Sequence, residues 1–257
     1  MSEGLQVSGL VKQFSGIRAL DDIDLHIAPG ERVGLIGPNG AGKTTLFNCV
    51  LGILPSNGGT VRLDGVDITG LPVHARARRG IGRTFQRMEL FPDTTVREHL
   101  LIADRVRQRS GNLFKDLIGR GHASRDEIAR ADAVLDLLGL SDLADEPIER
   151  LTLGKGRLVE VGRALMTEPK LLLLDEPSSG LDRAETAALA TTLHDVQVDK
   201  QFAILLVEHD VELVANFTTR AYLLDFGRII TVGPTNEVMA SDQMRAAYLG
   251  DLEVSTS

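Results

Sequence analysis

Gly37, Pro38, Asn39, Gly40, Ala41, Gly42, Lys43 and Thr44 fit the pattern G-x-x-x-x-G-K-[ST]. They stand between a short apolar run, Arg32 to Ile36, and a segment of helical character from Lys43 to Leu51 that Gly52 closes. Glycines at this spacing let successive backbone N–H groups curl around phosphate oxygens, and the helix start adds the positive end of its dipole. Lys43 then reaches the β- and γ-phosphates, Thr44 offers a hydroxyl to Mg²⁺, and Thr45 follows in the first helical turn. The plainer alternative is a glycine turn ahead of an ordinary helix; the strand before the loop and the helix after it favour binding of a nucleoside triphosphate with its metal.

Two other apolar runs end in ionisable side chains. Leu171 to Leu174 leads into Asp175 and Glu176, and Phe202 to Val207 leads into Glu208, His209 and Asp210. In α/β sheets, ligands sit at the carboxyl ends of the parallel strands. Asp175 is therefore a candidate holder of Mg²⁺, directly or through water. Glu176 is the candidate to orient and deprotonate the attacking water, since phosphoryl transfer is catalysed mainly by positioning and charge stabilisation. Side chains alternate along a strand, so two adjacent carboxylates are expected to do separate jobs. His209, at the mouth of a neighbouring strand, is placed to reach the γ-phosphate, against the plainer reading of a structural histidine. Gln86, after the run Gly80 to Phe85, is a candidate contact to Mg²⁺ or the water. The candidate catalytic set is Glu176, His209, Gln86 and Lys43, and the candidate metal set Thr44, Gln86 and Asp175.

Such a site needs strands that end together and a helix that starts at the loop. Ile23, Leu25 and Ile27 alternate with Asp22, Asp24 and His26, the period of a half-buried strand. Thr60 to Leu63 reads as another strand, with Asn57, Gly58 and Gly59 as a turn before it. Thr94 to Arg107, Ser124 to Leu138 and Gly154 to Met166 carry helical spacing, and Ser124 with Glu127 makes a capping box. From Pro169, runs at Lys170 to Leu174, Phe202 to Val207, Ala221 to Leu224 and Arg228 to Val232, with the helix Arg183 to Val198, suggest parallel strands buried on both faces. The expected fold is α/β: a P-loop NTPase core, a mixed sheet with an N-terminal antiparallel β part, and an inserted all-α subdomain. Residues 1–86 and 168–250 form the core, 87–167 the insertion, and 251–257 a frayed tail.

The 257 residues are 43% hydrophobic and 25% charged, the balance of a folded chain. Twenty-eight Lys and Arg against 36 Asp and Glu give a net charge of −8, which repels a phosphate backbone and argues against a nucleic-acid partner. One cysteine, Cys49, forms no internal disulfide, and the N-terminus lacks a signal pattern, so a cytosolic chain is expected. The longest apolar runs are far short of the ~20 residues of a spanning helix.

Taken in order, Gly37 to Thr44, Gln86, Leu151 to Lys155, Leu171 to Glu176, Ser179 to Asp182 and His209 resemble the ATP-binding subunits of ABC transporters over nearly the whole chain. The resemblance makes these the Walker A loop, Q-loop, signature, Walker B, D-loop and H-loop. It implies a head-to-tail dimer, homo- or heteromeric, in which each ATP lies between one subunit's phosphate loop and its partner's signature. Thr152, Gly154, Lys155 and Asp182 thereby become candidate nucleotide contacts, in trans for the signature, and the cofactors are ATP and Mg²⁺. It also implies transmembrane permease subunits, an extracytoplasmic solute-binding protein acting through them, and a place on the inner face of the membrane. Phe14 is the aromatic expected to stack on adenine, the other reading being a core phenylalanine.

The signature departs from the usual Leu-Ser-Gly-Gly-Gln: here stand Leu151, Thr152, Leu153, Gly154 and Lys155, followed by Gly156 in place of a common glutamine. Thr152 keeps a hydroxyl and Gly154 the close backbone approach. An ammonium at a helix N-terminus opposes the dipole unless an anion is near, so Lys155 is expected either to add charge at the trans γ-phosphate or to point into solvent. Gly82 to Gln86, Leu90 to Thr94, the stretch Arg107 to His122 and the ending Ala246 to Gly250 look most like importer ATPases of the branched-chain amino acid type. Leu90 and Phe91 are expected to line a groove for a permease segment. A regulatory nucleotide-binding scaffold or a non-transport ABC ATPase are the alternative readings.

Overall fold

The computed structural model describes residues 3–84, 93–108 and 123–254. The chain forms two compact units: residues 1–81, 170–176 and 201–257, and residues 82–169 and 177–200.

The first unit opens with strands β1 (Leu5–Phe14) and β2 (Ile17–Ile27), an antiparallel pair. Ser15 and Gly16 join them with φ of 43° and 92°, the two-residue turn whose twist matches that of the strands. Then follow β3 (Arg32–Ile36), α1 (Lys43–Leu51), β4 (Gly58–Leu63), β5 (Val66–Asp67), α2 (Val73–Ala77) and β6 (Ile81–Arg83). Helices α3 (Val96–Gln108), α4 (Arg125–Leu137) and α5 (Leu153–Leu165) belong to the second unit. Strand β7 (Leu171–Asp175) returns to the first, α6 (Arg183–Lys200) to the second. Strand β8 (Ala203–Val207), α7 (Val211–Phe217), β9 (Arg220–Asp225), β10 (Arg228–Pro234), α8 (Thr235–Ala240) and α9 (Asp242–Val254) complete the first unit.

Two sheets result, one ordered β2-β1-β4-β5 and one ordered β10-β9-β3-β8-β7-β6. Strands β7, β8, β3 and β9 run parallel, each pair in register. Alternation along them splits their side chains between two faces. Leu171, Leu173, Leu205, Val207, Val33 and Leu35 join Leu46, Phe47 and Val50 of α1 and the inner residues of β1 and β2 in one core. Opposite, α7 crosses β3 at Gly34, where a Cβ would lie 2.8 Å from the Val214 side chain.

Three expectations change. Strand β10 is antiparallel to β9 and half exposed along its length, because the turn at Phe226 and Gly227 folds it straight back. Gly58 and Gly59 open β4 rather than forming a turn. A β1 register irregularity brings the backbones so close that a Cβ on Gly59 would sit 2.3 Å from the Gly9 carbonyl oxygen. The chain is helical to Val254, so most of the stretch read as a frayed tail belongs to α9.

The end of α1 depends on a residue the sequence did not single out. Arg76 is 3% exposed, and its guanidinium donates to the carbonyls of Cys49 (2.8 Å), Val50 (2.7 Å), Leu71 (2.9 Å) and Thr69 (2.6 Å). Two of these lie in the last turn of α1, where intrahelical donors run out; the Cys49 carbonyl also takes the Gly52 N–H (3.2 Å). Burial lowers the Arg76 pKa from its ordinary value, though arginine stays charged. Arg76→Ala strands buried carbonyls and is expected to cost about 3 kcal/mol, read as a lower midpoint in urea unfolding. An unchanged midpoint contradicts this.

In the second unit, α3, α4 and α5 pack on one another. Gly162 of α5 marks a tight crossing: a Cβ there would meet Leu138 at 2.9 Å and Leu100 at 3.4 Å. Asp104, wholly buried, is paired with Arg130 (2.5 Å) and Arg107 (3.3 Å). The capping box forms at α4: Ser124 Oγ accepts the Glu127 N–H (3.2 Å), and Glu127 Oε2 accepts the Ser124 N–H (2.6 Å). Ser124 and then Arg105 hold the Glu127 carboxyl below its ordinary range. Among the described residues, no helix is long and apolar enough to cross a membrane.

Candidate functional site

Strand β3 delivers the phosphate loop. Gly37 and Pro38 are buried, Asn39 and Gly40 exposed, and the Ala41 N–H closes a turn on the Pro38 carbonyl (3.2 Å). Gly42 (φ 108°) is the N-cap of α1, a conformation that the capping side chains tolerate poorly. Its own Cβ would sit 2.7 Å from the Ala19 carbonyl oxygen. Lys43 is 7% exposed, and its ammonium donates to the carbonyls of Gly37 (2.6 Å) and Pro38 (2.9 Å), so the lysine ties the loop's entrance to its exit. Thr44 is exposed and Thr45 half-buried on the first turn of α1.

The loop is braced from outside. Gly227, in the turn between β9 and β10, donates its N–H to the Ala41 carbonyl (2.9 Å) and accepts the Asp21 N–H (2.8 Å). Asp21 is in turn paired with Arg18 (2.6 Å) and Arg228 (2.5 Å). The Arg18 guanidinium first, then that of Arg228, hold its carboxyl below the ordinary range. Nothing in the spacing of Asp21 and Gly227 signals this; it depends on a pairing of distant segments.

Register carries the carboxylates to the same sheet edge. Leu35 of β3 and Asp175 of β7 both stand opposite Val207 of β8. Asp175 is 9% exposed and ends its strand. Glu176 is outside the strand, and its direction comes not from strand alternation but from a left-handed backbone at φ 47°. A non-glycine residue held there stores about 1–2 kcal/mol, the kind of strain that gathers at functional sites. The Glu176 N–H is fixed on the Val207 carbonyl (2.8 Å), and its Oε1 lies 3.3 Å from Nδ1 of His209. The structure thus pairs two residues that the sequence offered separately. Glu208, fully buried, accepts the N–H groups of His209 (3.1 Å) and Asp210 (3.3 Å), and Asp210 caps α7 through the N–H groups of Glu212 and Leu213. His209 is therefore set on a short, heavily bonded turn.

Phe14 does not join the core: it is 43% exposed at the tip of the β1–β2 hairpin, with the Lys12 ammonium 4.9 Å from its ring centre. Lys12 is anchored on the Pro55 carbonyl (2.7 Å). That places one cation–π contact, worth about 0.5–1 kcal/mol, against the ring.

In the second unit, Thr152 is the N-cap of α5, its Oγ1 accepting the Lys155 N–H at 3.4 Å, so the helix starts one residue earlier than the spacing suggests. Lys155 is half-buried. At Gly154 a Cβ would lie 3.4 Å from Glu185 Oε1, and at Gly180 2.9 Å from Leu153, so the start of α5 packs on the segment before α6. Arg157, paired with Glu160 (3.2 Å), donates to the Ser179 carbonyl (3.3 Å) in that same segment. Asp182 has a structural task the sequence reading missed: it is half of a capping box, accepting the Glu185 N–H (2.8 Å) while Glu185 accepts its own (3.2 Å). The Asp-x-x-Glu spacing was the available signal. Gln86, Leu90 and Phe91 lie outside the described residues.

Residues 20–179 match the sequence family described as ABC transporter. Over 96% of its length the chain is 37% identical to the high-affinity branched-chain amino acid transport ATP-binding protein LivG of Escherichia coli (strain K12), spanning 98% of that protein. It is 34% identical, over 96% of itself and 97% of the relative, to the lipopolysaccharide export system ATP-binding protein LptB of Haemophilus influenzae. Among solved structures, an ATP-binding cassette of an ABC transporter in its ADP conformation superposes with a TM-score of 0.87 at 30% identity, covering 97% of this chain and 99% of that one.

Proposed function

The chain belongs to the ABC transporter family as an ATP-hydrolysing subunit, and from that premise we propose that it powers an importer of branched-chain amino acids or closely related small solutes. What supports the importer reading is the 37% identity to LivG across 96% of the chain. The LptB likeness shows that the same cassette also serves export, so direction and solute rest on this proposal.

The residues fit Mg·ATP. When bound, the nucleotide supplies the transferable phosphoryl group and the metal the charge that offsets its oxygens. The N–H groups of Gly40 and of Gly42 to Thr44 and the Lys43 ammonium would hold the phosphates, and Phe14 offers an exposed ring to the base. Mg²⁺ keeps waters and takes few protein ligands, a need that the Thr44 hydroxyl and the Asp175 carboxylate meet, with Gln86 as a third candidate. Glu176 would orient the attacking water and accept its proton; His209, 3.3 Å away, holds that carboxylate and would reach the γ-phosphate. Thr152, Gly154 and Lys155 of a second cassette, with Asp182 beside the interface, complete the site in a head-to-tail dimer. Lys155 adds positive charge there, compensating its unfavourable place at the start of α5. The dimer works on the inner membrane face against transmembrane permeases, with an extracytoplasmic solute-binding protein delivering the solute.

The test is reconstitution of the chain with transmembrane permeases of the branched-chain amino acid type, in proteoliposomes with ATP on the cassette side. ATP-dependent accumulation of labelled leucine, isoleucine or valine in the presence of the binding protein is expected. ATP turnover driving lipid-linked sugar outward, with no amino-acid uptake, overturns the importer reading.

A further inference from the structure

The ending Ala246 to Gly250, which marks a resemblance but suggests no chemistry by itself, leads back to the phosphate loop. Helix α9 starts from Ser241, whose Oγ accepts the Met244 N–H (3.1 Å). Met244 is 7% exposed and anchors the helix in the first unit. Tyr248 follows one turn later, on the same helix face. Its hydroxyl accepts the Gly37 N–H at 3.2 Å.

Gly37 is the first residue of the loop, and little room is left around it. A Cβ there would lie 2.0 Å from the Leu224 carbonyl oxygen and 3.3 Å from the Ala41 methyl. Its carbonyl is one of the two that the Lys43 ammonium holds, at 2.6 Å. Both backbone polar groups of Gly37 are therefore held by side chains, the N–H by Tyr248 and the C=O by Lys43. A shift of this residue moves the acceptor against which Lys43 is set.

We propose that Tyr248 is a positioning residue for nucleotide binding: its hydroxyl fixes Gly37, and through Gly37 the seat of Lys43, so that the C-terminal helix is coupled to the affinity of the phosphate loop. This rests on the reading of that loop as the triphosphate cradle. Tyr248 touches no nucleotide. It acts by keeping the loop in its binding shape before the ligand arrives, so its loss shows in affinity rather than in the rate at saturation.

Tyr248→Phe removes only the hydroxyl and leaves the half-buried ring. Binding of Mg·ATP and of Mg·ADP to the full-length wild-type and variant proteins is followed by isothermal titration. Amide hydrogen exchange at Gly37 is read on both proteins without nucleotide. The expected result is an ATP dissociation constant raised about three- to tenfold, the effect of one hydrogen bond. Faster exchange at Gly37 and turnover unchanged at saturating ATP are expected with it. A lowered melting temperature with the dissociation constant unchanged means that Tyr248 only anchors α9, and overturns the proposal, as do unchanged values throughout. Wild-type protein that binds neither nucleotide overturns the reading of the loop and this proposal with it.

Discussion

Glu176→Gln is expected to bind ATP with an affinity within about threefold of the wild type while releasing phosphate some 10²- to 10⁴-fold more slowly, the contribution of a positioned general base. Glutamine has the shape of glutamate, so the backbone that sets the side chain is untouched: the N–H at position 176 still meets the Val207 carbonyl at 2.8 Å, and φ stays in the left-handed region. What goes is the proton acceptor 3.3 Å from His209 Nδ1. The phosphate loop, Lys43 and Asp175 remain, so the cradle still fills. A cassette that closes on ATP and cannot cleave it stays closed, because the ligand's preference for the closed state is never discharged. Light scattering with Mg·ATP therefore detects a dimer in the variant that persists. Phosphate release at the wild-type steady-state rate removes Glu176 from the role of base, whatever the dimer does.

That the sequence displayed so much of this site has a physical reason. A phosphate cradle must be made of backbone N–H groups, which forces glycines, a lysine and a hydroxyl into consecutive positions; Gly37 to Thr44 are legible because the chemistry is local. The buried strands were legible for a similar reason, since runs such as Leu171 to Leu174 have no polar face to interrupt them. The relations between segments were not. The Glu176–His209 pair exists only because β7 and β8 are neighbours in register, and the bracing of Ala41 by Gly227 only because β10 turns back beside β2. The left-handed turn at Glu176 has no signature either, glutamate being an unusual residue for it. Arg76 reads as one of several arginines in a polar stretch, and only the folded chain shows the carbonyls it gathers. Asp182 illustrates a different failure: its place among the nucleotide contacts hid the ordinary work of capping a helix.

These long-range relations also separate the tasks of the site. The loop is built to hold charge and is stiffened from three sides, by Lys43 within it, by Gly227 behind it and by Tyr248 at its entrance. The residues proposed for cleavage sit after the ends of two other strands, where Glu176 is strained and partly exposed and His209 half exposed. On the proposed reading, binding and cleavage fall to different segments of the sheet edge, and substitutions should divide along that line.

Lys43→Ala tests the binding side. The ammonium is buried at 7% exposure and is the one cation of the G-x-x-x-x-G-K-[ST] loop, so its removal takes away charge-assisted bonds to the β- and γ-phosphates. It also leaves the Gly37 and Pro38 carbonyls without the donor that joins them, and the loop loses its internal tie. Both effects weaken ATP binding, together by roughly 3 kcal/mol, or on the order of a hundredfold in the dissociation constant. Lys43→Arg separates the two. It keeps the charge, but a planar guanidinium does not fit a seat shaped for a compact ammonium between two carbonyls, and it is expected to recover only part of the affinity. Titration of Mg·ATP and of AMP into all three proteins reads the result: ATP weakens in the order wild type, arginine, alanine, while AMP, which has no β- or γ-phosphate, is affected alike in all. An ATP dissociation constant for Lys43→Ala equal to that of the wild type means that the loop closes on something other than a triphosphate.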